Sequence, residues 1–142
     1  MRRTFLLLSV VCIIIFSSCT VIQEMQVDYD RSVEFAKEFC ITLLNDDLEQ
    51  AKEYLHPYSA PNKDRLTDFI LKLEESNDIS FSDGIEIKNT TFKKMAKFDN
   101  IYGGSVYSFQ FDMSIGDKET TMFFEVVDND IGYGIFYFGI IE

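Results

Sequence analysis

The chain has 142 residues, enough for one domain, and carries 24 acidic against 13 basic side chains for a net charge of −11. That balance argues against a nucleic-acid partner, whose phosphates would be repelled, and against lying flat on an anionic lipid surface. Three cysteines and a single histidine could complete a structural zinc site only if all four were free to converge.

Arg2 and Arg3 precede an apolar run from Phe5 to Phe16 that is broken only by Ser9. A helix over this run would rise about 18 Å, short of the roughly 30 Å hydrocarbon core of a bilayer. Small residues follow, Ser17 and Ser18, then Cys19. A positive start, a short greasy centre and a small-residue cut site have the layout of a secretory signal. Carried on through Thr20 and Ile22, the run would instead span weakly as an uncleaved anchor.

Phe16-Ser17-Ser18-Cys19 resembles the lipobox of bacterial lipoproteins, with Phe16 standing where a leucine is usual. The resemblance implies cleavage between Ser18 and Cys19, a diacylglycerol on the Cys19 thiol, and acylation of the new amine. One acyl chain binds a membrane marginally, whereas two or three hold a soluble domain at its surface. The expected organisation is a lipoprotein signal peptide over 1–18, a lipidated tether over 19–28 and a single domain over 29–142. The expected place is a bacterial cell envelope, outside the cytoplasm, with the lipid bilayer as partner through acylated Cys19. Loss of 1–18 removes two basic residues and no acid, leaving −13. Cys12 would leave with the signal and Cys19 would carry lipid. Cys40, between Phe39 and Leu43, then reads as an ordinary buried thiol.

From Asp28 or Asp30, either able to cap a helix, Val33, Ala36, Phe39, Cys40, Leu43 and Leu44 recur at spacings of three and four and predict a first helix. Asp47 with Gln50 resembles a capping box and opens a shorter helix to about Leu55, with Leu48, Ala51, Tyr54 and Leu55 inward. His56 to Pro61 holds both prolines and reads as a loop. A third helix follows over about Lys63 to Ser76, with Leu66, Phe69, Ile70 and Leu73 on one face.

Beyond Asn77-Asp78 the apolar period falls to two. Ile85 to Phe98 reads as a strand ending at Asp99-Asn100, and Gly103-Gly104 as a bulge or bend. In Ser105 to Ile115, Tyr107, Phe109, Phe111, Met113 and Ile115 alternate with Val106, Ser108, Gln110, Asp112 and Ser114, giving a strand with one buried face. Gly116-Asp117 turns into a partner strand over 118–127. Asp128 to Gly132 turns again, and Tyr133 to Ile141 closes the sheet. On that last strand Ile135, Tyr137 and Ile141 are expected on one side, Phe136, Phe138 and Ile140 on the other. Segregated helices and antiparallel strands mean α+β, with N-terminal helices on a curled sheet of about four strands. The second apolar sheet face needs its own cover, such as a homodimer through that outer face.

The opening helix, the phrase DDLEQAKEYLHP and the closing GYGIFYFGII resemble small bacterial lipoproteins with a cystatin-like or nuclear transport factor 2-like domain, over about residues 28–142. Asp47, Leu48, Ala51, Tyr54 and Leu55 carry the match after the first helix. A strand often seen between the second and third helices is replaced here by the proline loop. The resemblance implies a cone with the sheet wrapped around a helix, and frequent dimers. Some members are isomerases or hydratases with an acid or base inside the cone, which requires an Asp, Glu or His in an apolar pocket.

Candidates for such chemistry are few. Asp112 falls on the polar side of its strand, and Tyr102, Tyr107, Tyr133 and Tyr137 are potential phenolic donors, more simply read as core tyrosines with wet tips. His56 has no second histidine for a metal and no serine placed beside it for a triad. Asp128 to Gly132 begins like a calcium loop but has Gly139 where an EF-hand has its bidentate glutamate. No catalytic residue, metal or cofactor is assigned. The first expectation is a membrane-anchored envelope lipoprotein whose domain binds a partner or small ligand, or dimerises. The alternative is a small isomerase- or hydratase-type enzyme with a buried acid in the cone.

Overall fold

The computed structural model describes the backbone of residues 2–141 and the side chains of residues 21–141, so the expected signal segment 1–18, the expected cleavage between Ser18 and Cys19 and the expected lipid site Cys19 lie outside the described side chains. Helix α1 is Arg2–Leu44. Asp28 and Asp30 therefore do not start a helix but sit within one. Asp30 instead accepts a bond from Gln26 Nε2, one turn back, at 2.9 Å. No glycine or proline occurs before Pro57 to break the helix, which is why a capping residue alone misplaces its start. The inward stripe is the expected one: Val33, Ala36, Phe39, Cys40 and Leu43 are all buried, joined by Tyr29.

Helix α2, Leu48–Ala51, begins at Asp47, whose carboxylate accepts the Gln50 backbone N–H at 3.0 Å. It tightens into a 3-10 turn over Lys52–Tyr54. Asn62 caps a second 3-10 turn, Lys63–Arg65, which runs into α3, Leu66–Asn77. Asp78 ends α3 in the left-handed conformation.

Strands β1 (Ile85–Asp99), β2 (Gly104–Ile115), β3 (Lys118–Asn129) and β4 (Gly132–Ile141) form one antiparallel sheet in sequence order. The fold is thus α+β, with helices and a curled, unclosed four-stranded sheet. Three register irregularities along β1 and one between Glu125 and Val126 bend and twist the strands, as bulges do. All five residues read as the inner face of β2 are buried. Phe92, Phe109, Phe124 and Phe138 stand directly opposite one another across all four strands. Phe39 of α1 caps the row, 4.8 Å from the Phe138 ring and 6.3 Å from Phe124. Aromatic rows of this kind bury large areas and gain from offset and edge-on contacts.

The last strand corrects one expectation. Ile135 pairs with Val126 but Tyr137 pairs with Glu125, so Phe136 is an extra residue. Side chains change faces there: Ile135, Phe138 and Ile140 point inward, while Phe136, Tyr137 and Ile141 point outward. The outer edge of β4 is covered by the segment after α2, where Leu55 bridges Ile135 in parallel and His56 N–H donates to the Ile135 carbonyl at 2.9 Å. The opposite edge, β1, is guarded by Lys88, Lys93, Lys94 and Lys97, charges that discourage edge pairing.

Candidate functional site

The space between α1 and the inner sheet face is filled. Phe39, Phe109, Phe111, Phe124, Phe138, Met113 and Met122 occupy it, each essentially without exposure. Among the described residues the buried polar side chains are Ser32, Thr42, His56, Ser59 and Ser108, none of them a carboxylate.

Polar and aromatic groups gather instead on the outer face of the sheet. His56 is 1 % exposed, and both its ring nitrogens are engaged. Nδ1 accepts the Tyr58 backbone N–H at 3.1 Å, so the proton of the neutral ring is on Nε2, which donates to Asn129 Oδ1 at 3.1 Å. Asn129 Oδ1 also accepts from the Ile131 and Gly132 amides, which fixes its orientation, and Nδ2 donates to the Tyr102 carbonyl at 2.8 Å. His56 thereby ties the proline loop to the β3–β4 turn, and Asn129 ties that turn to the β1–β2 turn.

Beside it, Tyr102 packs edge-on against Phe136 with centroids 4.8 Å apart and donates its hydroxyl to Glu125. Ser108 Oγ donates to the other Glu125 oxygen at 3.3 Å. Burial, and then the Glu125 carboxylate, push the Tyr102 phenol up to about 12. Further along, Tyr137 lies over Gly139 and 6.0 Å from Phe123. Asp112 accepts from Thr121 Oγ1 at 3.2 Å and Asn89 Nδ2 at 3.3 Å, and borders an open cleft of about 500 Å³ with Ile79, Lys118, Glu119 and Ile141.

The other tyrosines anchor α1. Tyr107 donates to Asp28 at 3.4 Å, and Tyr133 meets Ser32 Oγ at 3.3 Å with the Arg31 guanidinium 4.9 Å over its ring. Tyr102 and Tyr137 thus share the outer face, Tyr107 and Tyr133 do not, and His56 serves as a structural link. Cys40 is a buried thiol, 2 % exposed, pushed up to about 12 by burial. Glu125 and Asn129 escaped the sequence reading; their partners are distant in the chain, and only an Asn just ahead of a tight turn hinted at a structural task. Among the described residues no group of three His, Cys, Asp or Glu is gathered to hold a metal, and no helix is long and apolar enough to cross a membrane.

The architecture places the chain in the α+β class with a curled, open antiparallel sheet. Comparison with protein-family models, curated proteins and solved structures returned no match.

Proposed function

We propose that this chain is an envelope lipoprotein, moored through acylated Cys19 after removal of residues 1–18, whose domain is a cystatin-like or nuclear transport factor 2-like cone acting as an interaction module. The observation that carries the interaction reading is the outer sheet face, where Phe123, Tyr137 and Ile141 lie in a solvent-facing cluster bordered by Asp112, Thr121 and Glu125. Tyr137 is 43 % exposed, more than an aromatic side chain on a covered face would be. A second copy of the chain, meeting the same face by two-fold symmetry, would cover it. The filled interior favours this reading over an enzyme with an acid inside the cone, because phenylalanine rings occupy the room a substrate would need.

Intact mass and sedimentation of detergent-extracted protein test both halves. The wild type is expected to begin at Cys19 with added acyl mass and to sediment as a dimer. Cys19→Ala should carry no acyl mass, and Tyr137→Asp should sediment as a monomer with its acyl mass unchanged. A wild type that retains residues 1–18 or lacks acyl mass ends the lipoprotein reading.

A further inference from the structure

Both odd-numbered hairpins of the sheet turn at the same end, because the strand order is simply sequential. Their tips carry exposed apolar side chains, two of them the most exposed large hydrophobics among the described residues. Phe98 is 85 % and Ile101 83 % exposed on the β1–β2 tip, and Ile131 is half-exposed on the β3–β4 tip. These are held outward by a built turn. Asp99 Oδ1 accepts the Ile101 amide at 2.9 Å, Gly103 N–H donates to the Asp99 carbonyl at 2.9 Å, and Asn129 locks the two tips together through the Tyr102 carbonyl.

The same end of the domain is where α1 enters. Glu24 pairs with Lys97 at 3.3 Å, and Asp28 meets Tyr107, whereas Cys40 and Leu44 lie beside Ile85 and Ile87 at the far end of the sheet. Cys19 precedes Glu24 by five residues. Those five span at most about 18 Å when fully extended, and about 7.5 Å as helix. A lipid on Cys19 therefore holds Phe98 and Ile101 within reach of the bilayer whatever path the linking residues take.

We propose that the two hairpin tips are a second membrane contact, inserting Phe98, Ile101 and Ile131 into the lipid surface beside the acylated Cys19 so that the domain stands end-on. This rests on the lipoprotein reading above. Lys97 is paired with Glu24 and Lys94 with Asp99, while Phe98 and Ile101 are the most exposed large hydrophobic side chains among the described residues, so the contact is apolar in kind. The acidic remainder of the domain is repelled by anionic headgroups, which favours standing over lying flat. The two or three acyl chains expected on Cys19 already hold the domain at the surface, and inserted apolar side chains would fix its orientation there.

The chain contains no tryptophan, so one introduced indole is a unique reporter. Mature lipoprotein carrying Phe98→Trp, in vesicles of phosphatidylcholine with brominated acyl chains, is compared with Asp117→Trp at the opposite end of the sheet. Both positions are exposed to solvent and outside the core. The indole at position 98 should be blue-shifted and quenched at least twofold by the brominated lipid, and that at position 117 should not. Equal quenching at the two positions, with acyl mass present on Cys19, overturns the tip contact and leaves the lipoprotein reading standing. An indole at 98 shielded from acrylamide yet unquenched by bromolipid shows that protein covers the tips, and also overturns it. Absence of acyl mass removes both.

Discussion

Tyr102 keeps its phenolic proton because burial and the neighbouring Glu125 carboxylate both oppose a second negative charge there. The consequence for stability has a definite sign. An unfolded chain loses this proton near the ordinary phenol value of 10.0, the folded one only near about 12. Between those limits the folded state binds more protons, so stability falls as pH rises; below the lower limit the contribution is fully present. Cys40, raised from 9.0 to about 12 by burial, acts in the same direction. Tyr102→Phe keeps the ring against Phe136 and removes only the titrating group. The stability advantage of wild type over this variant, from urea midpoints, should therefore be constant below pH 10 and shrink towards pH 12. An advantage that stays flat across that window would show that the hydroxyl does not titrate against Glu125 as described.

At the level of elements, the docking of the proline loop on β4 depends on the absence of a side chain at residue 134. A Cβ there would come within 2.5 Å of His56 N and 2.8 Å of the Leu55 carbonyl carbon, both backbone atoms that cannot swing away. Gly134→Ala should push the Leu55–His56 segment off β4 and strain the His56-to-Ile135 and Ala60-to-Phe136 backbone bonds. A loss of about 3 kcal/mol is expected from overpacking and weakened hydrogen bonds together. Gly139→Ala is the contrast: its Cβ meets the Tyr137 hydroxyl at 3.0 Å, the far end of an exposed and movable side chain. That change should cost less than about 1 kcal/mol. Urea midpoints of the two variants decide it; equal losses would mean the loop yields freely. The strands themselves were legible because period-two alternation in β2 is local and strong. The face switch at Phe136 was not, since it follows from how β3 and β4 register after the Asp130–Ile131 turn, and either register leaves apolar residues on both sides. The outer-face cluster was equally hidden: His56 and Asn129 lie 73 positions apart. Phe98 and Ile101 did leave a trace, apolar residues flanking the Asp99-Asn100 turn, but a turn signal alone does not say which side chains stay dry.

For the molecule as a whole, the core begins well inside α1. The first buried side chain of the helix among the described residues is Tyr29, edge-on to Phe92 at 5.4 Å and Phe109 at 5.9 Å. Ahead of it, the exposed Glu24–Lys97 ion pair is worth at most about 1 kcal/mol. A chain starting at Val21 therefore retains every buried contact described for the domain, and should unfold in urea in one cooperative transition, within about 1 kcal/mol of a chain starting at Cys19. A chain starting at Ala36 loses Tyr29, Ser32 and Val33, and with them the cover over Phe92, Phe109 and Tyr133. The missing burial is worth about 4 kcal/mol, a large share of the roughly 5–15 kcal/mol that holds a domain together. Its near-ultraviolet circular dichroism, dominated by the packed aromatic row, should collapse while strand signal in the far ultraviolet partly survives. The sheet alone can retain local hairpins because each strand pairs with its neighbour in sequence, but the Phe92–Phe109–Phe124–Phe138 row has one dry side only while α1 lies across it. If the chain from Val21 already lost its transition, the folded unit would have to extend into the residues ahead of Val21. Its persistence would place the start of the folded unit at or beyond Val21, in keeping with Tyr29 as the first buried side chain among the described residues.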